Sequence, residues 1–139
     1  MTFRTLTAAL VVATLASGCA TGPSMSELKT PLPVLEQGMG RVYFYRTGII
    51  GAAYQPDVTL NGNVVGTATP RAVYLKDIPP GSYTVTTNMT NQRVNFTLSE
   101  GQKQYVRISY AFGFNIYPEL VDGPTGEKEV KELSYVASK

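Results

Sequence analysis

The chain predicts an all-β fold, a small antiparallel β-sandwich of about seven to eight strands with one short C-terminal helix. Three observations carry this. From residue 41 onward, short runs rich in Val, Thr, Tyr and Phe alternate between two faces. Turn residues separate these runs at intervals of roughly 8 to 12 positions. Charged residues make up only 16% of the chain, too few for a set of solvent-exposed helices.

The elements follow in order. Arg41 to Arg46 is a strand, with Val42 and Phe44 on one face and Arg41, Tyr43 and Tyr45 on the other. Residues 47 to 56 form a loop with three small residues, Gly51, Ala52 and Ala53. Asp57 to Leu60 and Val64 to Thr67 make a hairpin about Asn61-Gly62-Asn63, where Asn and Gly accept positive φ. Ala72 to Ile78 is a strand stopped by Pro79-Pro80-Gly81, since the prolines withhold donors and Gly81 permits the reversal. Tyr83 to Asn88 alternates, as does Arg93 to Ser99 with Val94, Phe96 and Leu98 inward. Lys103 to Ala111 buries Val106, Ile108 and Tyr110. Asn115 to Val121 carries Pro118, which marks an edge or bulged strand. Glu127 to Leu133 reads as the helix, with Val130 and Leu133 on one face and a Glu127–Lys131 pair four apart.

The N-terminal part has a different texture. Arg4 is followed by no charged residue until Glu27, and residues 8 to 15 are uncharged and largely apolar. A charged start, an apolar run and then the small residues Ser17 and Gly18 form the layout of a secretory signal. The run is too short to span a bilayer, which takes roughly 20 apolar residues. It ends at Cys19, the one cysteine of the chain. Leu15-Ala16-Ser17-Gly18-Cys19 resembles the lipobox of bacterial lipoproteins, with Ala16 where that pattern most often carries Leu. The resemblance implies cleavage between Gly18 and Cys19, an S-diacylglycerol on the Cys19 thiol and an N-palmitoyl group on its new amine. It further implies an outer-membrane anchor facing the periplasm, because Ala20 and not an aspartate follows the cysteine. The organisation expected is therefore a signal peptide over 1–18, a lipidated flexible tether over 19–40 and a sandwich domain over 41–139. Pro23, Pro31 and Pro33 punctuate the tether, and a flexible coil of that length spans roughly 25 Å.

Four separated blocks carry a second resemblance: Gly40 to Arg46, Val58 to Gly62, Leu75 to Val85, and Glu100 to Ile108. In this order they resemble the bacterial lipoprotein family known as domain of unknown function 2846. The Pro-Pro-Gly-Ser-Tyr-Thr-Val block, 79 to 85, is also similar to PEGA-type and carboxypeptidase-regulatory-like sandwiches. These resemblances imply an immunoglobulin-like or prealbumin-like sandwich and bring no activity with them.

Composition narrows function further. The chain has no histidine, so Ser-His-Asp and Cys-His catalysis are excluded, together with nearly all zinc sites. A net charge of +2, reduced by one if Arg4 leaves with the signal, offers no field for nucleic acid. No cofactor or metal is expected. The carboxylates Asp57, Asp77, Glu100, Glu119 and Asp122 mostly border turns, where such groups bond local backbone donors, and no stretch has the spacing of a calcium loop. The reading is a non-enzymatic structural or interaction module, with an envelope protein complex or peptidoglycan as partner. The candidate binding face is an outward platform of Tyr43, Tyr45 and Tyr105 beside Arg41 and Arg107, a combination suited to sugar stacking and protein interfaces.

Overall fold

Residue 20 and residues 22–138 are described by the computed structural model. Nine strands and one helix follow in chain order: β1 (Gly40–Tyr45), β2 (Asp57–Leu60), β3 (Asn63–Thr67), β4 (Ala72–Ile78), β5 (Gly81–Thr87), β6 (Arg93–Leu98), β7 (Lys103–Ala111), β8 (Asn115–Val121), α1 (Gly123–Lys131) and the two-residue β9 (Ser134–Tyr135). They form a five-stranded sheet in the order β8-β7-β1-β4-β9 against a four-stranded sheet in the order β3-β2-β5-β6. The sandwich expected from the sequence is present. Its pairing is mixed, however, since β1 runs parallel to β7 and β4 parallel to β9. Insertion of the first strand between β4 and β7 is a long-range event that local turn chemistry does not encode.

Local rules place the strands well. Asn61 and Gly62 both have positive φ, and Leu60 pairs Asn63 across the two-residue turn. Pro118 lies on β8, an edge of its sheet, where a missing donor costs little. The main core lies between the sheets, where Val42, Phe44, Val58, Val85, Val106 and Ile116 are fully buried. Each contributes about 1.5–3 kcal/mol by leaving water.

Two expectations need correction. The helix begins at Gly123 and not at Glu127, because Asp122 caps it by accepting from the Thr125 amide, with proline in the first turn. The segment expected as a free tether is strapped along the domain. The Ala20 amide donates to Pro70 O, the Ser134 hydroxyl to Gly22 O, and the Met25 amide to Leu133 O. Farther on, Pro33 O accepts from the Arg41 guanidinium. Irregular backbone rich in proline can still pack when carbonyls and amides find partners on the body.

The register defines two ends. Tyr45 pairs Val73 and Arg107, so the loops 46–56, 68–71 and 112–114 lie together at one end, here called the tip. Loop 88–92 joins them there through the Asn88 amide and Asp57 O. The turns at 61–62, 79–80 and 99–102 lie at the other end, the base, with Asp77 and Arg41. Ala20, bound at Pro70, is at the tip.

Candidate functional site

The outer face of the five-stranded sheet gathers the residues singled out from the sequence. Tyr43 pairs Tyr105 and Tyr45 pairs Arg107 across the parallel β1–β7 ladder. The Tyr43 and Tyr105 rings stack with centroids 4.9 Å apart, only 10° from parallel. The grouping is therefore as expected, but the exposure is not. All three tyrosines are buried, in a second core with Val73, Val130 and Leu133, with Met25 and Leu32 packed against its edge. Helix α1 and the N-terminal strap cover the face that the alternation pattern assigned to solvent. Gly126 makes the contact close: a Cβ there would stand 2.2 Å from the Tyr105 ring. Burial, followed by the fields of Tyr43 and Glu127, pushes the Tyr105 hydroxyl up to about 12.

Arg41 is buried as well. Its Nε donates to Asp77 Oδ1 at 2.6 Å and its Nη2 to Asp77 Oδ2 at 2.9 Å, a two-pronged pair across β1 and β4. The hydrogen bond from Arg41 holds the Asp77 carboxyl below its ordinary range, and Asp77 in turn raises Arg41.

Arg107 anchors a polar network that sequence reasoning missed. Its Nε donates to Glu119 Oε1 at 2.5 Å and its Nη1 to Glu129 Oε1 at 2.6 Å. The Tyr45 hydroxyl donates to Glu129 Oε2 at 2.5 Å, and Ser109 Oγ to Glu119 Oε1 at 2.8 Å. Burial opposes charge on Arg107, but the bond to Glu119 and the fields of both glutamates outweigh it and raise its affinity for the proton. Burial and then the bond to Glu129 raise Tyr45. The network bolts α1 to the sheet. It borders an open groove of about 860 Å³ between α1 and the tip, lined by Thr47, Arg71, Lys128, Glu129 and Glu132. Glu129 was legible only as a helical charge, since its partners, Tyr45 and Arg107, lie on two other elements, β1 and β7.

Of the other carboxylates, Asp122 does local work as the cap of α1, whereas Glu119 holds Arg107 across the β7–β8 pair. Among the described residues, no group of three or more His, Cys, Asp or Glu is arranged to hold a metal ion, and no helix is long and apolar enough to cross a membrane. The signal segment expected over 1–18, the cleavage point expected at Gly18 and the lipidation expected at Cys19 lie outside the described residues.

A β-sandwich with a helix strapped over one sheet by the chain's own N-terminal segment is the class of domain these observations define. The model of the family described as "Protein of unknown function (DUF2846)" matches residues 36–123, and the chain belongs to that family. A curated relative from Haemophilus influenzae, itself described as "Uncharacterized protein", is 26% identical over 140 residues, covering 91% of this chain and 81% of the relative. No solved structure matches the chain.

Proposed function

We propose that the protein is a lipid-anchored lipoprotein of the bacterial envelope, held on the periplasmic side of the outer membrane. Its sandwich is a non-catalytic module with a structural or protein-interaction role. The observation that carries this reading is the leader itself, an apolar segment closed by Ser17-Gly18 and then the single cysteine, Cys19. The strap adds support. Ala20, next to the modified residue, is hydrogen-bonded to the body of the domain, so an anchor at Cys19 would hold the whole sandwich close to the membrane. Acyl chains contribute roughly 0.8 kcal/mol per buried CH₂, and the two or more expected on a lipoprotein give lasting attachment where one does not.

The alternative of a peptidoglycan platform built on exposed Tyr43, Tyr45 and Tyr105 has no exposed tyrosine face to rest on. Metabolic labelling with a palmitate analogue tests the anchor. Incorporation into the full chain, lost in Cys19→Ser together with membrane fractionation, is the expected result. Label that persists in Cys19→Ser, or an unlabelled chain, overturns it. Cross-linking in intact cells tests the interaction role, which falls if the protein is captured only as a lipid-bound monomer.

A further inference from the structure

The two ends of the sandwich expose different chemistry. At the tip, Phe112 is fully exposed (101%), with Ile50 at 69%, Ile49 at 61% and Phe114 at 56%. Tyr54 packs edge-on against Phe114 with centroids 5.0 Å apart, which joins the two loops into one apolar surface. Loops 47–56, 68–71, 88–92 and 112–114 contain no Asp, Glu or Lys. Arg71 and Arg93 are exposed beside these loops, and Lys128 and Glu132 of the helix end line the adjoining groove with Arg71. The base differs, with Glu36, Asp77, Glu100 and Lys103 around its turns.

The tip is built, not merely left bare. Arg46, only 1% exposed, donates to the carbonyls of Ile50, Gly51, Tyr54 and Ala68, which fixes the loop that presents Ile49 and Ile50. Phe114 has a φ of 63°, a left-handed backbone that costs a bulky side chain energy and that Gly or Asn would take readily. A strained aromatic, half exposed, contributes little to the fold at that price. Its position makes sense as contact with something apolar.

The course of the chain says what that is. Ala20, which follows Cys19 in the sequence, is bonded to Pro70 at this same end, beside the apolar loops. We infer that the tip is a lipid-contacting surface: Ile49, Ile50, Phe112 and Phe114 enter the headgroup–acyl boundary beside the anchor, with Arg71 and Arg93 at the level of anionic headgroups. The inference rests on the lipid-anchor reading and adds an orientation to it, tip down and base away. Apolar side chains on a preorganised loop enter such a boundary by roughly 5–10 Å, with strength set by the apolar area buried.

The chain has no tryptophan, so one placed at the tip is a clean reporter. Full-length Phe112→Trp and, at the base, Val34→Trp (89% exposed) are reconstituted in phosphatidylethanolamine–phosphatidylglycerol vesicles brominated along the acyl chain. The expected result is strong quenching and a blue shift for Phe112→Trp, with Val34→Trp unaffected. Adding Ile49→Ser and Ile50→Ser to Phe112→Trp is expected to weaken the quenching without changing thermal stability. Equal quenching at both ends, or none at the tip, overturns the inference. A blue shift of Phe112→Trp that depends on protein concentration before vesicles are added does so too, since it shows a second copy at the tip. The mass of the N-terminal peptide from the same preparation reports the anchor separately. Lipid present without tip quenching removes only the inference; lipid absent removes the anchor, while quenching on adding vesicles still reads the tip.

Discussion

Arg41 and Arg46 stand at opposite ends of β1, and both are buried, yet they serve opposite purposes. At the base, Arg41 meets a carboxylate, Asp77, and also grips Pro33 O, so charge is neutralised while the N-terminal segment is tied down. At the tip, Arg46 turns its donors onto backbone carbonyls and holds up a loop whose surface is uncharged. The base uses arginine to close the fold. The tip uses it to keep apolar side chains outside the fold and in place. An arginine's fork of five donors allows both, and a lysine would serve neither equally.

The comparison breaks most severely at Arg46. Arg46→Ala orphans four carbonyls at once, and at about 1–3 kcal/mol for each buried group left unpaired the loss should reach about 4 kcal/mol or more. Urea unfolding measures it, and Arg46→Lys is expected to recover only a small part. At the base, Asp77→Ala strands the Arg41 charge and should cost about 3 kcal/mol. The pair also predicts a pH dependence. Because the folded Asp77 carboxyl lies below its ordinary value of 3.8, its contribution is complete above pH 3.8 and fades as pH falls through the lowered folded value. Acid titration of wild type against Asp77→Ala should therefore show the stability difference shrinking below pH 3.8.

Between the ends, Gly126→Ala sharpens the contrast. Alanine favours a helix by about 1 kcal/mol over glycine, but the added methyl would overlap Tyr105, and overpacking of this kind costs about 1–3 kcal/mol. A net loss, with increased accessibility of Tyr105 to iodination, is the expected outcome; a gain would mean α1 is not seated on that ring. The smallest effect has the opposite sign. The Tyr74 hydroxyl is buried with no hydrogen-bond partner among the described residues. Tyr74→Phe should leave stability unchanged or raise it by about 1 kcal/mol, a polar group removed where neither arginine reaches.

Where the sequence could be read, turn chemistry was the reason. Asn61-Gly62 and Pro79-Pro80-Gly81 fix strand ends through local backbone preference, and the alternation in β5 and β6 needs only one buried face. β1 breaks that logic, since all six of its residues are buried and its second face is covered by elements distant in sequence. That is why Tyr43, Tyr45 and Tyr105 were grouped correctly and given the wrong environment. The early start of α1 was written in Asp122 and Pro124, but Gly123 and Gly126 beside them look like loop residues until Gly126 is seen to make room for Tyr105. The parallel β1–β7 ladder and the glutamates around Arg107 depend on long-range assembly and leave no local trace.

The clasp between Ser134 and Gly22 joins positions 112 apart in the chain. A chain made from its N-terminus outward cannot close this clasp until β9 exists to receive it. Until then the Gly22 carbonyl and the Met25 amide lack their partners at Ser134 and Leu133. The strap can close only after the C-terminal strand is made, so the order of synthesis sets the order in which the two chain ends are joined to the sandwich.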